Sequence, residues 1–112
     1  GLGDVYKRQS YIPQYKFENC KDITSLPFDF YLNDSNIAIE ADGEGHYMPI
    51  QYSSSWSESE LMENFEKIQY HDKIKTDFCN SHDIPLIRIP YWERDNLEIF
   101  LKNKFYENGV TI

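Results

Sequence analysis

The sequence lacks the features that mark membrane, secreted or zinc-binding proteins. No run approaches the roughly 20 apolar residues of a membrane-spanning helix, and no secretory signal is visible. Cys20 and Cys79, the two cysteines, lie far apart, without the CxxC or histidine-rich spacing that holds zinc. These absences predict an intracellular protein with two free thiols, and a single disulfide is the alternative.

Basic residues are also scarce. Eleven Lys and Arg stand against 19 Asp and Glu, which gives a formal net charge of −8. Because phosphate binding usually requires a basic surface, this balance counts against tight DNA binding by the chain alone. A local positive face is still available from Lys67, Lys73, Lys75, Arg88 and Arg94.

Internal repeats and dividing linkers are absent as well, and 112 residues give room for one domain with a modest core. The first nine residues, GLGDVYKRQ, resemble translated sequencing-adapter DNA, so we exclude them from fold reasoning. The sequence therefore predicts a single domain over residues 10–112, and we expect the native protein to begin further upstream.

What the chain does contain is a concentration of acids in two apolar segments. The segments are LPFDFYL (26–32) and NIAIEADGEGHY (36–47), and they carry Asp29, Glu40, Asp42, Glu44 and His46. Apolar strands rarely hold so many carboxylates unless a cation lies among them, because a buried unpaired charge is costly. A divalent metal ion is the obvious candidate.

Strand geometry sharpens this prediction. Side chains alternate faces along a strand, so Glu40 and Asp42 point the same way. The turn-forming NDSN between the segments allows a hairpin that brings Asp29 level with both. These three carboxylates would form an oxygen site suited to Mg²⁺ or Mn²⁺, and His46 could then deprotonate a water molecule. The alternative is that Asp42-Gly43 is only a hairpin turn and that His46 is an ordinary surface residue.

The rest of the chain predicts an α/β fold with a mixed sheet. A strand from Tyr11 and the two acid-bearing strands come first, and a polar loop over 48–56 follows. Ser57 or Ser59 should cap a helix over about 58–81. Ile84 to Trp92 is apolar enough for a buried central strand. A last helix over about 96–107 should bury Leu97, Phe100, Leu101 and Phe105.

The long helix and the following strand each place a charge in an apolar pattern. Asp72 shares a helical face with Leu61, Phe65, Ile68 and Cys79, and Lys75 lies close to that face. Asp72 either pairs with Lys75 or Arg88 or, together with Lys75, faces the carboxylate site. Arg88, inside the apolar strand, needs an acidic partner.

At these residues the chain resembles the PD-(D/E)xK nuclease superfamily, and more narrowly the very-short-patch-repair-like endonucleases and related phage and intron homing enzymes. The resemblance covers about residues 14–101 and rests on PFDFYL, IEADGEGHY, HDKIKTDFC and LIRIPYW. It implies a restriction-endonuclease-like core, a Mg²⁺-dependent deoxyribonuclease activity and a protein of the bacterial cytoplasm, encoded by a phage or another mobile element.

The resemblance also implies roles for six residues. The catalytic set would be Asp29, Glu40, Asp42, His46, Asp72 and Lys75, and the metal ligands among them would be Asp29, Glu40 and Asp42. Asp42 stands where the family usually has a lysine, so His46 would act as general base. Lys75 would supply the missing positive charge, and Asp72 would orient His46 or complete the ligand shell.

The chain departs from its relatives at several positions. Ala41, Gly45 and His71 stand where similar sequences carry tyrosine, glutamine and arginine, and the N-terminal helix usual in the family is missing. A non-cutting nucleic-acid-binding module that keeps the nuclease fold is therefore the second hypothesis. A protein-interaction domain is the third, but it leaves the clustered acids unexplained. Base-specific DNA recognition would require an appended DNA-binding domain.

Overall fold

The computed structural model describes residues 10–110, so the adapter-like segment predicted for residues 1–9 lies outside the described residues. Three strands, a long helix, a strand and a second helix follow one another, in the predicted order. Their bounds are β1 Ile12–Lys21, β2 Ser25–Leu32, β3 Ile37–Asp42, α1 Glu58–Ser81, β4 Leu86–Pro90 and α2 Leu97–Glu107. Short 3-10 helices cover Glu44–His46 and Tyr91–Asn96.

The strands form one four-stranded sheet in the order β1-β2-β3-β4. The first three pair antiparallel, whereas β3 and β4 run parallel and are joined by α1. The predicted mixed sheet is therefore confirmed. A parallel pair requires a long crossover, and α1 supplies it between the two strands that carry Asp42 and Arg88.

The prediction of a central strand at 84–92 is wrong in position and in length. The regular strand covers Leu86–Pro90, and it pairs with β3 at the end of the described sheet. Its apolar character has another cause, which is that helices cover both of its faces. Ile87 and Ile89 are buried in the core beneath α2, while Leu86 packs in the core beneath α1.

Two hydrophobic cores fill the space on the two faces of the sheet. The α2-side core contains Leu32, Ile37, Ile39, Ile87, Ile89, Leu101 and Phe105, with Phe100 and Leu97 packed against it. The predicted apolar stripe of the last helix is thus confirmed. The α1-side core contains Cys20, Phe28, Ala38, Cys79 and Ile84. Only this α1-side face of β3 carries buried charge.

Both cysteines lie in the α1-side core as free, buried thiols, as the sequence predicts. Burial is the main cause that raises the pKa of Cys79 to about 11. A thiol in such an apolar setting stays protonated at neutral pH and is a poor nucleophile. We therefore assign these two residues to packing rather than to chemistry.

The long helix begins at Ser57, one of the two caps that the sequence predicts. Ser57 accepts a hydrogen bond from the Glu60 backbone N–H at 3.2 Å, and the Glu60 side chain accepts one from the Ser57 N–H, so the two residues form a capping box. Neither helix of the described chain is long and apolar enough to cross a membrane. Further along the same helix, Asp72, Lys75 and Thr76 lie over the sheet and contact Glu40 and Arg88.

Candidate functional site

Asp29 and Glu40 lie opposite each other on β2 and β3, just beyond the last backbone-paired residues. There the two strands are joined by side-chain hydrogen bonds instead. The pairing runs through Phe30 and Ile39. One residue further along, the Asp29 N–H donates to Glu40 Oε1 at 3.2 Å, and the Ala41 N–H donates to Asp29 Oδ2 at 2.7 Å. The hairpin therefore brings Asp29 level with Glu40. Each carboxylate also takes the place of a backbone acceptor, which holds the two strands together at this end.

Glu40 has a cationic partner on α1. Lys75 Nζ lies 3.1 Å from Glu40 Oε1, and the two side chains are only 12% and 5% exposed. The Lys75 ammonium also lies 5.4 Å from the centre of the Phe28 ring. Burial raises the pKa of the Glu40 carboxyl, and Lys75 opposes that shift only in part. The structure thus places Lys75 directly against the acid-bearing strand.

Arg88 is the residue that joins Asp42 to the helix. Its Nη1 donates to both oxygens of Asp42, at 3.0 and 3.2 Å. Its Nη2 donates to the Asp72 backbone oxygen and to Thr76 Oγ1, each at 3.0 Å. The acidic partner that Arg88 requires is therefore Asp42, two positions along from its direct neighbour Glu40 in the parallel pair.

His46 lies above this pair on the short 3-10 helix that follows β3. Its Nδ1 is 2.7 Å from Asp72 Oδ2 and 3.6 Å from Asp42 Oδ1. The Asp42-Gly43 step is thus no hairpin turn, since Gly43 precedes a 3-10 turn that brings His46 back over the end of the strand. When Nδ1–H donates to Asp72, Nε2 keeps its lone pair and is free to take a proton or a metal ion.

Asp42, His46 and Asp72 form a cluster with metal-binding spacing. One ligand atom from each lies within 4.8 Å of the others, and no other trio of such side chains in residues 10–110 meets this spacing. We call it the Asp42–His46–Asp72 cluster. The ligand set predicted from the sequence shares Asp42 with it. The carboxylates of Asp29 and Glu40 lie next to it along the strands, bound to the backbone and to Lys75.

Negative charge is in excess around the cluster. The acids are Asp29, Glu40, Asp42 and Asp72, and the permanently charged cations in contact with them are Lys75 and Arg88. Burial raises the pKa of Asp42 although the charges of Arg88 and His46 lower it. Within residues 10–110, the pairing therefore leaves two negative charges uncompensated when all four acids are ionised and His46 is neutral. A divalent cation would balance them.

Sequence reasoning missed two residues that shape this site. Thr76 supports the Arg88 guanidinium, and it lies four positions after Asp72, which is the spacing that would have revealed it. Tyr52, in the loop before α1, covers Gly45 with its hydroxyl group. No pattern in the serine-rich loop predicts that contact, because it depends on how the loop folds back.

The Tyr52 contact explains why position 45 is occupied by glycine, since a larger side chain would overlap the Tyr52 hydroxyl. It also predicts the effect of replacing Gly45. A Cβ on Gly45 would overlap the Tyr52 hydroxyl and would also approach Ile68 at 3.5 Å. Gly45→Ala should therefore displace either the loop or the 3-10 helix that carries His46. Because the overlapping oxygen is the far end of an exposed side chain that can turn away, we expect a fall of no more than about 1 kcal/mol in the free energy of unfolding, measured by urea denaturation.

Removal of the hydroxyl tests the cause. The double variant Gly45→Ala/Tyr52→Phe should recover part of the lost stability, because the overlapping atom is gone. Tyr52→Phe alone should change stability little, since Tyr52 is largely exposed. If the double variant is as unstable as Gly45→Ala, the Tyr52 overlap is not the cause.

Comparison with known proteins adds a relationship but no activity. No family model matches the chain, and no solved structure matches it. A curated relative is the uncharacterized protein 307L of Invertebrate iridescent virus 6, which is 30% identical over 85 residues. The match covers 76% of this chain and 40% of the viral protein, so the chain spans less than half the length of that relative. Because the viral protein is uncharacterized, the likeness brings no function with it.

Proposed function

We propose that this chain is a metal-dependent DNA endonuclease domain with a restriction-endonuclease-like core. The observation that carries the proposal is the convergence of Asp42, His46 and Asp72 beside the buried Glu40–Lys75 pair. All five residues belong to one β3-α1-β4 unit and lie at or near the carboxyl end of its parallel strands. Ligand sites of α/β sheets typically lie outside that edge. The element order and the mixed sheet agree with this core.

The donor set fits a hard divalent cation. Carboxylate oxygens are the ligands that Mg²⁺ and Mn²⁺ prefer, and the uncompensated negative charge supplies the attraction. Asp42 and Asp72 would hold the ion, and the resemblance adds Asp29 and Glu40. Bound there, the ion would polarise the scissile phosphate and lower the pKa of a water molecule.

The side chains of the chain define the remaining chemistry. Asp72 contacts His46 Nδ1, so with Nδ1–H as the donor Nε2 would be the atom that accepts a proton as general base. Arg88 holds Asp42 and α1 in place and is a positioning residue. Lys75 contributes the positive charge next to Glu40, and that charge would stabilise a phosphate oxygen of the substrate.

A non-cutting nucleic-acid-binding module is the second candidate. It is favoured by the contact in which both Asp42 oxygens accept from Arg88, since that ion pair competes with metal binding. Metal affinity separates the two candidates. A non-cutting module should bind Mn²⁺ weakly, and Asp29→Asn should change its behaviour little. For the enzyme, Asp29→Asn should weaken both Mn²⁺ binding and cleavage.

The test of the proposed function is cleavage of supercoiled plasmid DNA with Mg²⁺ or Mn²⁺, beside an EDTA control. We expect nicking that requires the metal ion and disappears in Asp42→Ala. The Asp42→Ala protein should keep its circular dichroism spectrum, which would show that the site and not the fold is lost. Cleavage by this variant at the wild-type rate would overturn the assignment of Asp42.

A further inference from the structure

Three aromatic rings form an exposed surface beside the Asp42–His46–Asp72 cluster. The ring centres of Tyr47 and Trp92 are 4.9 Å apart, those of Tyr91 and Trp92 are 5.2 Å apart, and those of Tyr47 and Tyr91 are 5.8 Å apart. Trp92 is 58% exposed and Tyr47 is 42% exposed. Large aromatic rings usually bury most of their surface, so a cluster left open to solvent indicates a binding surface. We call it the aromatic shelf.

The shelf borders the site directly. Tyr47 follows His46 in the chain, and Tyr91 follows Pro90, which pairs with Asp42 at the end of the parallel strands. The pKa of the Tyr47 hydroxyl is raised by burial and next by the charge of Asp42, which reflects the same proximity. A ligand that stacks on the shelf is therefore held next to the acidic cluster.

A cleft of about 260 Å³ lies against the shelf and shares Tyr91 with it. Its walls include Asp42, Gly43, Pro90, Tyr91, Leu97 and Arg94, and they are mainly apolar. The Arg94 side chain forms no ion pair or hydrogen bond with any residue in the described part of the chain. The cleft thus combines an apolar floor, an aromatic wall and an unengaged guanidinium beside a candidate catalytic carboxylate.

The exposed aromatic rings decide which form of DNA such a surface suits. Duplex DNA is held mainly through phosphates, and a chain with a net charge of −8 offers few contacts of that kind. The negative charge opposes a single strand as well, but stacking on aromatic rings adds about 1–3 kcal/mol per unpaired base, a gain that bases paired inside a duplex do not offer. An exposed aromatic shelf with one free arginine is therefore better suited to a single strand than to a duplex.

We propose that the protein binds single-stranded DNA, with one unpaired base stacked on the aromatic shelf and the next in the cleft beside Tyr91. Arg94 would contact the phosphate between them, and that strand would pass Asp42 and His46. This inference rests on the proposed function, for which it names the substrate class as unpaired DNA at single-stranded regions, frayed ends or flaps.

The experiment measures binding separately from cleavage. Fluorescence anisotropy of a labelled 15-nucleotide oligo-dT, a duplex of equal length and the matching RNA would be recorded in EDTA, where metal-dependent cutting is blocked. We expect the single-stranded DNA to bind most tightly. Trp92→Ala should weaken this binding on the order of tenfold, as expected for one lost stacking partner. Arg94→Gln should weaken it less, and the loss should shrink at high salt.

Matched variants isolate the shelf. Tyr106→Ala removes an aromatic ring that is 80% exposed on α2 and should leave the affinity unchanged. In a Trp56→Phe background Trp92 is the remaining tryptophan, and its fluorescence should fall when oligo-dT binds. Equal affinity for duplex and single strand, tighter binding of RNA, or no effect of Trp92→Ala would each overturn the inference.

Failure of the inference is distinguishable from failure of the proposed function. Metal-dependent plasmid cleavage together with unchanged binding by Trp92→Ala would retain the nuclease and overturn the single-strand site. Binding of oligo-dT that is lost in Trp92→Ala, without cleavage of any DNA, would retain the single-strand site and overturn the nuclease.

Discussion

Glu40→Gln and Asp42→Asn are expected to melt at a higher temperature than the wild type at neutral pH and to lose metal-dependent cleavage. Burial raises the pKa of both carboxyl groups in the folded protein. Folding therefore favours the neutral form of each group over its charged form. The amides mimic that neutral form and keep an oxygen that accepts from Lys75 or Arg88. Loss of activity with a gain in stability is the signature of residues retained for function.

The pH dependence follows from the same shifts. A folded-state pKa above the unfolded value gives stability that is fully present below the unfolded pKa, which is 4.5 for Glu40 and 3.8 for Asp42. That stability is lost as the pH rises through the folded-state pKa. The gain in Tm of the two variants over the wild type should therefore be largest at neutral pH and should shrink as the pH falls toward 4.

Thermal unfolding followed by circular dichroism at several pH values, beside plasmid cleavage, checks both halves of this prediction. Asp34→Asn changes an exposed acid in the β2–β3 turn and should alter neither property. A lower Tm at neutral pH for both site variants would show that the ion pairs outweigh the burial of the charges. The two acids would then be structural residues.

Lys75→Met should cause the largest loss of stability among the site variants. It leaves Glu40 buried with its charge but without its cation, and breaking a buried pair in this way costs about 3 kcal/mol. For a domain of this size the change corresponds to a fall of roughly 10–20 °C in Tm. Calorimetry or circular dichroism at neutral pH measures it directly.

Two further variants test whether the buried charge is the cause. Lys73→Met changes a lysine two positions away, 73% exposed and paired with the exposed Asp77, so it should leave Tm unchanged. The double variant Lys75→Met/Glu40→Gln should recover most of the stability, since it no longer buries an unpaired charge. If the double variant is as unstable as Lys75→Met, lost packing around Phe28 is the reason instead.

The alternating pattern of β3 was enough to predict which acids share a face, and helical periodicity placed Asp72 and Lys75 toward them. Both are local properties, set by strand and helix geometry alone. The cap was narrowed to Ser57 or Ser59 for the same reason, and the structure selects Ser57. The position of β4 in the sheet could not be predicted. An apolar strand covered by helices on both faces has the same sequence pattern at the edge of a sheet as at its centre.

The group that each charged side chain contacts could not be predicted from the sequence either. Arg88 pairs with Asp42 rather than with its direct neighbour Glu40 because Thr76 and the Asp72 carbonyl pull its guanidinium toward α1. Glu40 and Asp29 serve backbone N–H groups, a use that depends on where the hairpin pairing stops. Which group each charge contacts depends on differences in atomic position smaller than the spacing between neighbouring residues. A pattern of residue types does not contain that information.

The division of the sheet into a charged face and an apolar face has a consequence for how this protein can evolve. On the α2 side, substitutions have only to conserve volume, and Leu101 or Ile89 can drift among hydrophobic residues. On the α1 side, loss of Lys75 would leave the charge of Glu40 buried and uncompensated. Lys75 can therefore be lost only together with the charge of Glu40 or after it, whereas Glu40 can become neutral first. The order of substitution is constrained, although the two residues lie 35 positions apart in the chain.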